Sequence, residues 1–328
     1  MTNNQTPTVK LGTRGSQLAL YQANLVASLL RSHAEVECEI VIIRTSGDRL
    51  AEAKLSQIGG KRLFVKEIED ALLAGDVDLA VHSSKDMPAV LPEGLEIGAV
   101  LPREDPRDAL VLPGEDSGQL SVEEAAARLG RQPRVGTSSV RRSAQLVRLF
   151  PGGSFLPIRG NLDTRLRKVD SGDFDAIVLA AAGLRRLEQG HRITTTLPVQ
   201  ACVPAPGQGI IAVEIRSGDE RVRSRVARID DAAARVALDA ERAVVTRLGG
   251  GCQMPIGAYA AIDGDSVTMT AVVTSLDGSR AVRAESRGGT GAATAVGIAA
   301  AEDLLANGAR ELLDEVERAQ AIVEGLQP

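Results

Sequence analysis

The chain repeats one pattern, and this repetition restricts its fold more than any other feature. Three short stretches in the first third of the chain have counterparts, in the same order, in the middle third. The pairs are LGTRGS with VGTSSV, IIRTSGD with LPIRGNLD, and AGDVDLAVHSS with SGDFDAIVLAA. Because ordered similarity of this kind is typical of a duplicated unit, we predict two similar lobes with a cleft between them.

Each predicted lobe alternates strands with helices. In the first lobe the apolar runs 8–13, 38–45 and 77–84 predict strands. A helix is predicted after the first strand, with the apolar residues Leu18, Tyr21, Leu25 and Leu29 on one face. The second lobe repeats the scheme, with strands predicted at RVGT, FLPIRG and FDAIVLAAAG and a helix over 161–170. The alternation is typical of a doubly wound, largely parallel sheet, in which ligands bind at the carboxyl ends of strands.

The last third of the chain has a different pattern. Residues 219–248 read as strongly helical, and two further helices are predicted at about 292–306 and 308–320. Between them, short strands separated by the turns 263–265 and 277–279 predict an antiparallel meander. We therefore expect a third, smaller α+β domain.

Composition excludes several classes of function. A net charge of -5 and an aromatic content of 2% argue against nucleic-acid binding, which relies on surplus cations and stacking side chains. No apolar run is long enough to span a membrane and the first residues do not resemble a signal peptide, so a cytoplasmic protein is expected. The 3 cysteines and 3 scattered histidines predict reduced thiols and no metal site.

Cations and hydroxyl groups collect where the predicted strands end. The set is Arg14, Ser16, Lys61, Ser83, Lys85, Thr137, Ser138, Ser139, Arg141, Arg142, Arg159, Arg165, Arg185 and Arg186. Arginine binds carboxylates bidentately, so such a set around one cleft predicts a ligand with several negative groups. The alternative is a solvated helix face, which we favour for Arg148, Arg167, Lys168 and the run 221–228.

Three other side chains could carry chemistry. Asp86 follows a buried strand, where a turn-forming aspartate and a functional carboxylate fit the sequence about equally well. His82 is interpreted as a buried strand-end residue rather than a base. Cys252 lies in LGGGCQMPIG, where composition alone favours a small buried residue beyond a helix that ends in glycine.

Nine stretches, taken together, resemble the porphobilinogen deaminase (hydroxymethylbilane synthase) family. They are LGTRGSQLAL, IGGKRLFVKEIEDALL, DLAVHSSKDMP, REDPRDA, VGTSSVRR, IRGNLDTRL, LAAAGLRRL, PGQG and GGGCQMPIGAY. The resemblance implies a transferase of tetrapyrrole biosynthesis that joins four porphobilinogen units, with loss of ammonia, into linear hydroxymethylbilane. It implies a dipyrromethane cofactor attached to Cys252 by a thioether. It also implies that Asp86 is the catalytic carboxylate, which stabilises the cationic azafulvene formed from the substrate.

The resemblance also assigns residues to the two anionic ligands. Cofactor contacts are implied for Ser83, Lys85, Thr137, Ser139, Arg141, Arg142 and Gly160. Substrate contacts are implied for Arg14, Ser16, Lys61, Arg159, Arg165, Arg186 and Gln208. Two positions depart from the family pattern: Gln57 stands where a basic residue is common, and Gly249 stands where a more polar residue is common.

The implied architecture is α/β, with two doubly wound lobes like those of periplasmic binding proteins and a small α+β C-terminal domain with a three-stranded antiparallel sheet. The expected boundaries are 1–103 with 203–224 for lobe 1, 104–202 for lobe 2 and 225–328 for the C-terminal domain. A polar flap is expected at 47–62. A monomer is expected, with porphobilinogen as its partner and neither nucleic acid nor membrane.

Two other classes of protein remain open. A solute- or effector-binding module would use the same cleft but would need neither Asp86 nor Cys252. A binder of anionic polymers would need a positive surface rather than a positive cleft.

Overall fold

The computed structural model describes residues 8–45, 65–114, 119–251 and 254–323. The flap predicted at 47–62, with Gln57 and Lys61, lies outside the described residues, and so does Cys252. The described strands are β1 (Thr8–Thr13), β2 (Glu37–Ile42), β3 (Leu79–Ser83), β4 (Leu95–Val100), β5 (Asp108–Val111), β6 (Arg134–Gly136), β7 (Ser154–Leu156), β8 (Ala176–Ala180), β9 (Thr195–Thr196), β10 (Ile211–Arg216), β11 (Ile256–Asp263), β12 (Ser266–Thr274) and β13 (Ala281–Gly289).

Helices connect most of these strands. They are α1 (Gln17–Ala34), α2 (Lys66–Ala74), α3 (Val122–Leu129), α4 (Val140–Leu146), α5 (Leu162–Asp170), α6 (Ala181–Arg186), α7 (Glu220–Val226), α8 (Ala232–Leu248), α9 (Ala293–Ala306) and α10 (Ala309–Val323). Among the residues that the structure describes, no helix combines the length and the apolar character needed to cross a membrane.

Two five-stranded sheets share one topology. Their strand orders are β2-β1-β3-β10-β4 and β7-β6-β8-β5-β9. In the first sheet β1 runs parallel to β2 and β3, while β10 is antiparallel to β3 and β4. In the second, β6 runs parallel to β7 and β8, while β5 is antiparallel to β8 and β9. The predicted duplication of an α/β unit is therefore confirmed at the level of topology.

The antiparallel strand in each sheet was not predicted. Each is the strand by which the chain enters that sheet from the other one, since β5 follows β4 and β10 follows β9. An antiparallel strand begins at the edge where its parallel neighbours end. In the first sheet, the residues that begin β10 therefore lie at the edge where β3 ends. In the second sheet, the residues that begin β5 lie at the edge where β8 ends.

Helix α1 packs on the first sheet through a different face from the predicted one. Its buried face contains Ala23, Val26 and Leu30, which pack with strand residues of the sheet core. Tyr21, predicted on the apolar face, is 40% exposed, and Leu25 of the same face is only partly buried. The small side chain of Ala23 lets the helix lie close to the sheet, which a search for large apolar residues does not detect.

The third sheet is an antiparallel meander in the order β11-β12-β13, as predicted. Helices α9 and α10 follow it, again as predicted. Helix α9 lies very close to α8, because a Cβ placed on Gly297 would be 2.1 Å from the carbonyl oxygen of Ala240.

Contacts divide the described chain into two compact units. One unit contains residues 8–45, 65–103 and Ile210–Arg235, and the other contains Glu104–Gly209 and residues from Val236 onward. Strand β10 pairs with β3 and β4, so the chain returns to the first sheet after the second. The three-domain boundaries given by the sequence stay a prediction.

Candidate functional site

In the first unit, predicted site residues follow the neighbouring parallel strands β1 and β3. Ser16 caps α1, where its Oγ accepts a hydrogen bond from the Ala19 N–H at 3.3 Å. Ser83 ends β3, and Gln22 Nε2 donates to its Oγ at 2.9 Å. Gln22 is buried, so this contact fixes the start of α1 against the end of β3. Arg14 lies on the same edge, between β1 and the cap.

Asp86 ends a single turn of 3-10 helix, Ser84–Asp86. The turn is anchored on both sides of its exposed part: the Ser84 N–H donates to the Ile210 carbonyl at 3.0 Å, and Met87 is buried. Lys85 is half-buried and Asp86 is exposed. The carboxylate is therefore held on a fixed turn at the end of β3, where it can accept hydrogen bonds from a ligand.

His82 lies behind this turn. Its Nε2 is 3.0 Å from Glu214 Oε2, and both side chains are buried. Glu214 lies on β10, the strand that pairs with β3 and places Ala212 opposite His82. The interpretation of His82 as a buried strand-end residue is confirmed.

In the second unit, most of the predicted residues follow β7, β6 and β8, three adjacent parallel strands. The Ser139 N–H donates to Thr137 Oγ1 at 3.2 Å, and Ser139 Oγ accepts from the Arg142 N–H at the start of α4. Ser138 Oγ donates to the Ile158 carbonyl at 2.7 Å and accepts from the Ile158 N–H at 3.0 Å. These bonds fix the loop after β6 against the loop after β7.

The loop after β7 requires glycine at position 160. Gly160 has φ +106, and a Cβ there would lie 2.6 Å from the Thr164 side chain. Arg165 Nε donates to the Gly160 carbonyl at 2.9 Å. After β8, Arg186 Nη2 donates to the Gly209 carbonyl at 2.7 Å. Arg159, which directly precedes Gly160, is half-buried.

Arg141 and Arg142 share one buried carboxylate, that of Asp108. Arg141 Nη1 is 2.7 Å from Asp108 Oδ2, and Arg142 Nη2 is 2.8 Å from Oδ1. Asp108 is 0% exposed and the arginines are 5% and 7% exposed. Burial alone would raise the pKa of Asp108, but the two guanidinium charges outweigh it and hold the pKa far below its usual value. Both arginines thus have a structural partner in addition to any ligand.

Sequence reasoning missed Asp108. It lies within the stretch REDPRDA, which contributed to the family resemblance but received no residue role. The available signal was an aspartate followed at once by the apolar run ALVL. A charge that begins a buried strand needs a buried partner, and Asp108 begins β5.

Gln208 and Arg185 both have polar partners within the protein. Gln208 is 1% exposed, and its Nε2 donates to the Pro106 carbonyl at 2.7 Å and to Asp108 Oδ1 at 2.9 Å. Its contact with substrate stays a prediction. Arg185 forms ion pairs with Glu104 and Asp105, so its charge is already compensated by protein carboxylates.

Hydrogen bonds hold the segments on either side of Cys252. Helix α8 ends in a Schellman motif, with Gly249 at φ +72, its N–H donating to Thr246 and the Gly250 N–H donating to Val245. The predicted glycine-capped helix end is confirmed. On the other side β11 is tied to α8, because the Ala260 N–H donates to buried Glu241 at 2.8 Å.

Two family descriptions match the chain. Residues 9–224 match "Porphobilinogen deaminase, dipyromethane cofactor binding domain" and residues 236–306 match "Porphobilinogen deaminase, C-terminal domain". The porphobilinogen deaminase of Syntrophobacter fumaroxidans is 45% identical over 312 residues, which cover 95% of this chain and 98% of that protein. The one of Bordetella parapertussis is 48% identical over 307 residues, or 93% of this chain and 95% of that protein.

The matches to solved structures are more distant. An ancestral cationic amino acid solute-binding protein has a TM-score of 0.39 and 16% identity, covering 67% of this chain and 86% of that chain. The BenM effector-binding domain with benzoate has a TM-score of 0.39 and 13% identity, covering 66% of this chain and 87% of that chain. The two family matches, together with 45% identity over 95% of the chain, show that this chain belongs to the porphobilinogen deaminase family.

Proposed function

We propose that this transferase joins four porphobilinogen units, with loss of ammonia, into hydroxymethylbilane for tetrapyrrole biosynthesis, using a dipyrromethane cofactor attached to Cys252. The observation that carries the proposal is the match of residues 9–224 to the cofactor-binding domain of the family. The C-terminal match over residues 236–306 contains Cys252.

The side chains of the second unit suit a polyanionic pyrrole chain. Arg141 and Arg142 together carry two positive charges against the one negative charge of Asp108. Ser139 and Thr137 add hydroxyl groups at the start of α4. Each pyrrole unit carries an acetate and a propionate, and arginine and hydroxyl donors are the groups that bind carboxylates well. We assign these four residues, with Ser83, Lys85 and Gly160, to the cofactor.

Substrate binding is assigned to cations and hydroxyls at the ends of the parallel strands. Half-buried Arg14, Arg159, Arg165 and Arg186 can keep part of their donor capacity for a ligand while their stems remain packed. The complete assignment is Arg14, Ser16, Lys61, Arg159, Arg165, Arg186 and Gln208.

Asp86 is assigned the catalytic role. Its exposed carboxylate on a fixed turn can accept hydrogen bonds from pyrrole N–H groups and stabilise the positive charge that develops as ammonia leaves. It can also hold the proton that is lost when two rings are joined. When bound, the dipyrromethane supplies the nucleophilic pyrrole carbon at which the chain grows.

The finer parts of the proposal are a monomeric state and a cytoplasmic location. The low cysteine count, 3 in the whole chain, supports a reducing compartment. Light scattering of the purified protein at several concentrations tests the monomer, and a mass that doubles with concentration would contradict it.

Intact mass spectrometry tests the function directly. The active enzyme should be heavier than the bare chain by the mass of two pyrrole units, and should give a positive Ehrlich reaction for pyrroles. Thiol titration of the unfolded, loaded protein should detect Cys38 and Cys202 but not Cys252. Fully active enzyme with the bare mass and three free thiols would overturn the proposal. A solute-binding module would show the bare mass and three free thiols, and would produce no tetrapyrrole.

A further inference from the structure

We propose that Asp108 is a positioning residue of the cofactor site: its buried carboxylate fixes Arg141 and Arg142, and the same cluster holds the segment that supports β11, the strand after Cys252. The inference rests on the proposed function, because it takes the two arginines as cofactor-binding residues. Asp108 itself does not need to touch the cofactor.

The carboxylate holds each guanidinium in more than one direction. Arg141 Nη1 donates to Asp108 Oδ2 at 2.7 Å and to the Val203 carbonyl at 2.7 Å. Arg142 Nε donates to Asp108 Oδ1 at 2.9 Å, while its Nη1 donates to the Val178 carbonyl at 3.0 Å. A planar guanidinium held by a carboxylate and by a backbone carbonyl has little freedom to rotate. The positions of both charges are thus set by Asp108 together with two strand or loop carbonyls.

The topology of the second sheet explains why this aspartate reaches the arginines. Asp108 is the first residue of β5 and lies opposite Ala180, the last residue of β8. Strand β5 is antiparallel to β8, so its beginning lies at the edge where the parallel strands end. An aspartate at any later position of β5 would lie further from that edge.

The same cluster reaches β11 through the segment 203–208. Val203 is held by Arg141 at its carbonyl and by Gln145 Oε1 at its N–H, 2.8 Å away. The next residue, Pro204, accepts a hydrogen bond from the Ala258 N–H of β11 at 2.9 Å. Gly257 approaches Val203 so closely that a Cβ on it would lie 2.7 Å from the Val203 oxygen. The arginine pair and the strand after Cys252 therefore share one support.

The charge count explains how such a cluster favours an anion. Two guanidinium groups and one carboxylate leave one positive charge, and all three side chains are buried. Within the described part of the chain, the ion pairs of both arginines involve Asp108 alone. A buried surplus charge is unfavourable until a counter-charge arrives, and a carboxylate of the cofactor can supply it. Asp108 neutralises one of the two positive charges, so that the chain can fold without cofactor. The second positive charge is left for a negative group of the cofactor.

The test compares Asp108→Asn with a matched control, Asp170→Asn. Asp170 pairs with Arg192, another buried arginine of the same unit, at 2.7 Å. Both variants remove a carboxylate from a buried arginine, but only the first affects the predicted cofactor residues. For each purified protein, intact mass gives the fraction of chains that carry cofactor, thermal unfolding gives stability, and the mass series after adding porphobilinogen shows how many units are joined.

We expect both variants to unfold at lower temperature than the wild type. The loaded fraction should fall roughly 10–100-fold in Asp108→Asn, by analogy with the loss of affinity when groups that orient metal ligands are removed, and should stay at the wild-type level in Asp170→Asn. Chains of Asp108→Asn that do load should stop at fewer added units. Loading and elongation equal to those of the control would overturn the inference.

A second variant covers the case in which Asp108→Asn does not fold. Asp108→Glu keeps the negative charge but moves the carboxylate by one methylene. We expect it to unfold cooperatively and to load poorly, and normal loading would again overturn the inference. The proposed function is tested separately by the wild type: a wild type without added mass contradicts that function, whereas a loaded wild type with loaded Asp108 variants contradicts only the role of Asp108.

Discussion

At the scale of single residues, two carboxylates of the chain lie in opposite environments. Asp86 is exposed on a turn anchored by Ser84 and Met87. Asp108 is fully buried and surrounded by guanidinium, amide and thiol donors. The exposed carboxylate keeps its acceptor capacity for a ligand, while the buried one has used its own on protein donors. The two proposed roles, chemistry at Asp86 and positioning at Asp108, rest on this difference.

Replacing Asp86 by asparagine tests the catalytic assignment. The side chain keeps its shape but loses its negative charge, so it can neither hold the proton nor stabilise a developing cation. We expect Asp86→Asn to fold and to carry cofactor, with turnover reduced by about 10²–10⁴. Steady-state kinetics and intact mass measure both quantities. The control is Asp76→Asn, an exposed aspartate just before β3, which should keep full turnover; near-normal turnover in Asp86→Asn would remove it from catalysis.

Cys202 gives a pH dependence whose sign can be worked out. Burial, reinforced by Asp108, raises the pKa of its thiol from 9.0 to about 12. The folded state therefore keeps the proton to higher pH than the unfolded state does. Stability from this group is fully present below pH 9.0 and is lost as pH rises towards 12, with a slope of up to about 1.4 kcal/mol per pH unit.

The corresponding experiment is urea unfolding of the wild type and Cys202→Ala at pH values on either side of 9. Above pH 9 the free energy of unfolding should decrease more steeply for the wild type than for the variant. Cys38, whose pKa is raised to about 11 by burial, titrates in both proteins and cancels in the difference. Parallel pH profiles would show that the Cys202 thiol ionises as easily in the fold as outside it.

Local sequence predicts residues whose partners are close in the chain. Ser16 and Ser139 were predicted to lie where strands end, and each accepts the N–H of the residue three positions further along the chain. Asp108 was missed because its partners Arg141 and Gln208 are 33 and 100 residues away. No local pattern shows that these residues meet, since only the pairing of β5 with β8 brings them together.

At the scale of secondary-structure elements, features that depend on nearby residues could again be predicted, and features that depend on distant residues could not. Strand β1 was predicted at 8–13, and the structure has it there. Strand β5 received no prediction, and β10 was placed with the first lobe only through the family resemblance. Both pair with strands that are distant in sequence, and hydrophobic periodicity reports burial without identifying the partner.

The close packing of α8 against α9 gives a prediction at this scale. Gly297 lies where a Cβ would be 2.1 Å from the Ala240 carbonyl oxygen, so Gly297→Ala must separate the two helices. We expect a loss of about 1–3 kcal/mol in the free energy of unfolding. The control is Gly291→Ala, where a Cβ would meet nothing within 4 Å. Urea unfolding measures both, and equal stability of the two variants would contradict the close approach.

At the scale of the whole molecule, an acidic protein places its cations where parallel strands end. The chain has a net charge of -5, yet Arg14 follows β1, Lys85 follows β3 and Arg141 follows β6. Some cations near these ends are compensated by protein carboxylates, as Arg185 is by Glu104 and Asp105. The Asp108 cluster retains one positive charge. Without its anionic cofactor the protein therefore has an uncompensated positive charge at this cluster, although the whole chain is acidic. Binding of a polyanion there should stabilise the fold.

The stability of the unloaded protein tests this balance. Cys252→Ala removes the sulfur proposed to carry the cofactor, so the variant should fold without cofactor and unfold several degrees below the loaded wild type. Added sulfate should narrow this gap, because the anion supplies part of the missing counter-charge and screens the repulsion among the cations. The control is Cys38→Ala, which also removes a thiol but leaves the attachment intact, and it should unfold close to the wild type at every sulfate concentration, because the general stabilising effect of sulfate acts on both proteins. Calorimetry of the three proteins over a range of sulfate concentrations measures the effect. A gap that is independent of sulfate would mean that the cofactor stabilises the fold by packing rather than by charge.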